Sequence, residues 1–111
     1  MAKIVVFYKQ TKRQAEFEDY YFNIHLPIVQ KISQIKSLKI SRVVHHNNTI
    51  PDLYLHGEIE FENMDALNQA IASREGKAMF DDAAILRKFF DSPPITAFVD
   101  SVEIGSLTKV D

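Results

Sequence analysis

A chain of 111 residues with 46% hydrophobic and 25% charged side chains and a formal net charge of -2 has room for one globular domain over residues 1–111 and carries no field to recruit nucleic acid or anionic lipid. It contains no cysteine, which excludes disulfides, thiolate nucleophiles and Cys-ligated metal. The expected partners are therefore a small-molecule ligand and further copies of the chain, with no nucleic acid and no membrane. The apolar run Ile4 to Tyr8 is too short for a secretory core or a membrane span, so the expected location is cytoplasmic.

Lys3 to Lys9 (KIVVFYK) is β-branched and aromatic, with Ile4, Val6 and Tyr8 on one face and Val5 and Phe7 on the other; it predicts a strand buried on both sides. Thr11 and Gln14 have capping-box spacing. Phe17, Tyr20, Tyr21, Ile24, Ile28, Ile32 and Ile35 then recur at helical spacing, predicting a long helix bent at Pro27. Leu38 to His46 and Leu53 to Glu62 alternate with period two across a turn-rich HNNTIPD segment and predict an antiparallel hairpin. Centring that turn between Thr49 and Ile50 sets Ile40 opposite Ile59, Arg42 opposite Gly57, Val44 opposite Leu55 and His46 opposite Leu53.

Asn63 caps a helix over Met64 to Ala72. Ser73 caps a continuation over Gly76 to Phe90, whose apolar stripe is Met79, Phe80, Ala83, Ala84 and Leu86. Ser92, Pro93 and Pro94 stop it, and Ile95 to Ile104 is the last strand. The order βαββαβ predicts an α+β, ferredoxin-like fold: a four-stranded antiparallel sheet with two helices on one face. Two helices cover one sheet face only, yet the first and last strands are apolar on both. This predicts a homodimer through the open face, the alternative being a loop or the C-terminal tail folded over it.

In the predicted register Arg42 points into the layer between sheet and helices with Gly57 leaving space beside it, an arrangement suited to a carboxylate or enolate; the alternative is that Arg42 reaches the edge or pairs with an acidic helix residue. His25, four residues after Tyr21, reaches the same layer and can move a proton near neutral pH; the alternative is a structural histidine bonded to a carbonyl freed by Pro27. Tyr8, Tyr21, Phe22 and Phe80 are the candidate substrate-binding residues, against the alternative that aromatics at helical spacing are core. His45, His46 and His56 suggest a metal, but no carboxylate has ligand spacing and the neighbours His45 and His46 point to opposite faces, so no metal site is expected. With Gly57, Gly76 and Gly105 scattered, no phosphate loop is present and no nucleotide cofactor is expected.

The run Tyr20-Tyr21-Phe22-Asn23-Ile24-His25-Leu26-Pro27-Ile28, between KIVVFYK and Leu38-Lys39-Ile40-Ser41-Arg42, resembles the EthD family of dimeric α/β-barrel proteins, with Ile28 in place of the usual Leu. The likeness continues in Gly57 to Phe61, in Met64 to Leu67 and in Ser73 to Gly76. It implies a ferredoxin-like protomer that dimerises by its sheets, a pocket between helices and sheet, and a functional His25. Related barrel groups include cofactor-free oxygenases, isomerases, dehydratases or cyclases of polyketide-like compounds, and haem-degrading enzymes. The implied function is thus a cofactor-independent enzyme acting by proton transfer or oxygenation on an apolar or aromatic compound, or a non-catalytic carrier of such a compound.

Overall fold

The computed structural model describes residues 1–44 and 52–102. Strand β1 (Ala2–Lys9) leads into α1 (Gln14–Tyr20), which continues through a π-helical segment (Tyr21–His25) into α2 (Leu26–Val29). Then follow β2 (Ile35–Arg42), β3 (Leu53–Phe61), α3 (Met64–Ala72), α4 (Arg74–Leu86) with a 3₁₀ turn at Arg87–Phe89, and β4 (Ile95–Asp100). The strands form one antiparallel sheet in the order β2-β3-β1-β4. β1 and β2 flank β3, and β3 and β4 flank β1, which is the ferredoxin-like split βαβ arrangement. No helix among the described residues is long and apolar enough to cross a membrane.

The predicted first helix is shorter than its apolar spacing suggests. It ends at Val29, and Ile35 opens β2. Nor does Thr11 cap it: the residue before the helix is Arg13, without a side-chain cap, while the Thr11 hydroxyl accepts from the Arg13 N–H and donates to the Phe89 carbonyl. Where a bend was expected at Pro27, the helix instead widens one turn earlier, with the Leu26 N–H bonding the Tyr21 carbonyl. A proline donates no hydrogen bond and its ring presses on the carbonyl four residues back, and a wider turn relieves both problems. The inserted register leaves Tyr21 and His25 buried together, while Phe22 and Ile24 stay 39% and 47% exposed.

The hairpin pairs two residues away from the predicted register: Ile40 stands opposite Gly57 and Arg42 opposite Leu55. A slip of two preserves which face each side chain takes: of the set Leu53, Leu55, Gly57, Ile59 and Phe61, whose alternation predicts the helix-side face, all are buried except Leu53, which is half-buried. His45 and His46 lie outside the described residues. The β1–β3 pairing shifts between Tyr8 and Lys9, where Lys9 pairs with Leu53 and Tyr8 with Leu55. Tyr54 is the extra residue, and this bulge brings its ring into the helix-side layer against Phe17.

Two packed groups fill that layer. One gathers Ala2, Ile4, Val29, Ile32, Ile59, Phe61, Leu67, Ala70 and Met79 under α3 and the start of α4. The other is largely aromatic: Tyr8, Phe17, Tyr21, Tyr54, Leu55 and Leu86. Phe17 is its centre, fully buried and within 6.2 Å, ring to ring, of Tyr8, Tyr21, Tyr54, Phe89 and Phe90. Burying one such ring contributes about 1.5–3 kcal/mol. Asn63 and Ser73 cap α3 and α4 as expected, accepting from the N–H groups of Ala66 and Gly76.

Candidate functional site

The π-helical turn carries His25 into the layer between α1 and α4, where it is 5% exposed. Its Nδ1 lies 2.8 Å from Oδ2 of Asp82, a buried residue of α4. A carboxylate only accepts, so Nδ1 carries the hydrogen and Nε2 the lone pair. The other oxygen, Oδ1, accepts from the Tyr20 hydroxyl at 2.6 Å. Asp82 thus orients His25 and is itself fixed by Tyr20. Burial pushes the His25 pKa below its ordinary value and outweighs the opposing hydrogen bond and charge of Asp82, so the imidazole is neutral at neutral pH. Tyr20, donating to a carboxylate, is pushed up to about 12 and stays protonated.

The His25 ring stacks on Tyr21 at 5.7 Å with planes 18° apart. The rings of Tyr21 and Tyr8 meet edge to face at 5.4 Å, and burial raises both pKa values. Gly57 explains how Tyr21 fits: a Cβ there would stand 3.0 Å from the Tyr21 hydroxyl. The space beside Gly57 is therefore used by Tyr21, not by Arg42.

A cavity of about 330 Å³ opens between α4 and the β1–β4 side of the sheet. Buried Ile4, Tyr8, Ile59, Met79 and Leu86 form its floor and inner wall; exposed Arg87, Pro93, Thr96 and Phe98 border its mouth. Tyr8 and Phe80 line it; Tyr21 does not, and neither does the pair formed by His25 of the π-helical turn and Asp82 of α4. Phe22 does not line the cavity; it is 39% exposed, edge-on to Tyr21.

Arg42 requires the clearest correction. It donates to both carboxylate oxygens of Glu18 on α1, at 2.7 and 3.0 Å, with its side chain 58% exposed. The Tyr54 hydroxyl donates to the same carboxylate, and Arg42 and Tyr54 together hold Glu18 down at about 2. Glu18 precedes His25 by seven residues, roughly 10 Å along a helix at ~1.5 Å per residue. Arg42 therefore does not face His25 across a shared site; its charge is neutralised where it clamps α1 to the end of β2.

Asp82 was missed in the sequence. The signal was available: it sits three residues after Met79 and four before Leu86, both buried, so an acid occupies an inward position of α4. The His56 ring lies 4.7 Å from that of Phe7, tilted by 38°, on the open sheet face, and among the described residues no group of three or more potential ligands could hold a metal ion.

A sequence model of the EthD domain matches residues 9–94. The chain belongs to the EthD family. A crystal structure of an EthD family protein from Bacillus halodurans is 28% identical and superimposes with a TM-score of 0.78 over 92% of this chain and 99% of that one. An 11.0 kDa protein of Rhodococcus erythropolis, from the thcB–thcC intergenic region, is 27% identical over 84 residues, which cover 76% of this chain and 82% of the relative. The hydroxynitrile lyase of Passiflora edulis, 11% identical with a TM-score of 0.70 over 92% of this chain and 94% of that one, shares the fold. The EthD match spans both halves of the dyad, since His25 and Asp82 fall within it.

Proposed function

We propose that this EthD protein binds a small apolar or aromatic compound and moves a proton on it, with His25 as the base. The observation that carries this reading is the buried His25–Asp82 pair, Nδ1 to Oδ2 2.8 Å. Asp82 fixes the tautomer in which Nε2 is basic and stabilises the imidazolium formed when Nε2 takes a proton from a carbon or hydroxyl acid; the proton then returns to another atom of the same compound. Such an isomerase- or cyclase-type step needs no cofactor. The surrounding aromatic layer excludes water and keeps the imidazole neutral and ready to accept.

An enolisable aromatic ketone tests the step directly. In D₂O, wild-type protein should exchange the α-hydrogens of 2-tetralone above the buffer rate by proton NMR, and His25→Gln should return exchange to that rate. Equal exchange in both proteins would remove His25 from the chemistry. Bound ketone with no exchange would favour the second reading, a carrier, which one observation supports: neither His25 nor Asp82 lines the cavity.

A homodimer completes the reading. On the open face, Val5 and Phe7 of β1 neighbour Ala97 and Ile95 of β4, with Val99 beside Lys3, forming an apolar half. The β2–β3 half is polar, with Lys39 opposite Glu58 and a 2.7 Å Lys3–Glu58 ion pair. A second copy over the apolar half would bury it and leave the charges as a rim. Val5→Asp should convert a dimer to a monomer by light scattering, and a wild-type monomer at micromolar concentration would overturn the proposal. Phe98 of β4 lies on the other face, opposite Ile4 and lining the cavity.

A further inference from the structure

We infer that the cavity beneath α4 is a site for a carboxylic acid with an aromatic or alicyclic body, its carboxylate held at the mouth by Arg87. This rests on the reading of the chain as a small-molecule-binding protein and adds the class of ligand. The cavity is lined mostly by apolar side chains: Ile4, Val6, Ile59, Met79 and Phe80 would enclose a hydrocarbon body but offer nothing to a polar one. Polarity is confined to its ends. The Tyr8 hydroxyl lies on the buried side, and Arg87 and Thr96 are exposed at the opening.

Place and pairing together mark Arg87: other cations, Lys12 and Lys88 among them, make no ion pair among the described residues either, but none of them lines this cavity. Arg42 is held by Glu18, Arg13 by Glu16, and Lys3 by Glu58. Arg87 makes no ion pair among the described residues, and of the residues that line the cavity it is the one cation. A guanidinium presents paired N–H groups matched to a carboxylate, and its planar fork gives orientation as well as charge. A ligand bound this way enters body first, with its acid at the solvent edge and its far end towards Tyr8. The Tyr8 hydroxyl, whose pKa burial raises, would donate to an acceptor at that end. The anion-binding role that the sequence suggested for Arg42 thus falls to a residue on the other side of the layer.

The test compares two probes of one shape, 2-naphthoate and the neutral 2-naphthalenemethanol, titrated into the full chain by calorimetry. Wild-type protein should bind the acid about tenfold more tightly than the alcohol, with the difference shrinking as salt is raised. Arg87→Gln should remove that preference and leave alcohol binding unchanged, and Ala83→Phe, which fills the cavity, should weaken both probes. Equal affinity for the two probes, a preference that survives Arg87→Gln, binding untouched by Ala83→Phe, or no saturable binding of the acid would each overturn the inference. Binding is read without turnover, so a failure of proton exchange at His25 leaves this result standing, and the reverse holds equally.

Discussion

Gly76→Ala is expected to lower the thermal midpoint by roughly 10 °C or more, equivalent to about 2–3 kcal/mol for a domain of this size. A Cβ at this position would stand 1.9 Å from the Ala70 carbonyl oxygen and 3.1 Å from that of Ile71. Both are backbone atoms of the last turn of α3, so no side chain can swing aside. The obstacle must be met by moving α4 away from α3, which also strains the Ser73 cap: its hydroxyl accepts from the Gly76 N–H at 3.0 Å and donates to Ala70 at 2.6 Å. Helix propensity acts the other way, favouring alanine by about 1 kcal/mol. The two effects have opposite signs, so circular dichroism melting decides between them. A midpoint equal to or above wild type would show that the close approach of the two helices is not a constraint.

The second large effect concerns the buried pair. His25→Leu should cost about 3–5 kcal/mol, because it leaves the Asp82 carboxylate buried with Tyr20 as its remaining donor among the described residues. His25→Leu combined with Asp82→Leu should recover much of that loss, since two apolar groups of suitable volume need no partners. A double variant less stable than His25→Leu would contradict this account. The pair also predicts a pH dependence. The folded pKa of His25 is lowered, so its contribution is fully present above about pH 6.5 and is lost as pH falls from there towards the folded value, because the unfolded chain takes up a proton that the folded chain refuses. The slope from this group cannot exceed about 1.4 kcal/mol per pH unit. Urea unfolding between pH 5 and pH 8 should show it in wild type and not in His25→Gln.

The candidate site was half legible. His25 could be placed in the inward layer because Tyr21 and Phe17 precede it at helical intervals, and interval alone determines face. The Tyr8–Phe80 lining followed in the same way. Arg42 failed for a different reason: alternation correctly sent it to the helix side, but the hairpin register, out by two, gave it Gly57 as a neighbour where the fold gives Leu55. A two-residue slip changes no face and every pairing, so faces survive errors that neighbourhoods do not. Phe22 lay off the apolar stripe from the start, and its 39% exposure agrees with that spacing. The stripe position left outside, across the π turn, is Ile24, 47% exposed, because an extra residue in a turn leaves no mark on apolar spacing.

By itself, then, the sequence determined the strand and helix order, the inward faces, the caps at Asn63 and Ser73 and the doubly apolar β1, because these depend on residues a few positions apart. Only the tertiary structure decided which charges meet. Asp82 reaches His25 across 57 positions and Glu18 reaches Arg42 across 24, and no local pattern encodes a partner at such distances. The same holds for the cavity, whose walls come from β1, β3, α4 and β4. Arg87 becomes notable only once the fold sets it, unpaired among the described residues, at the mouth of that cavity, and such a placement is a property of the packed chain.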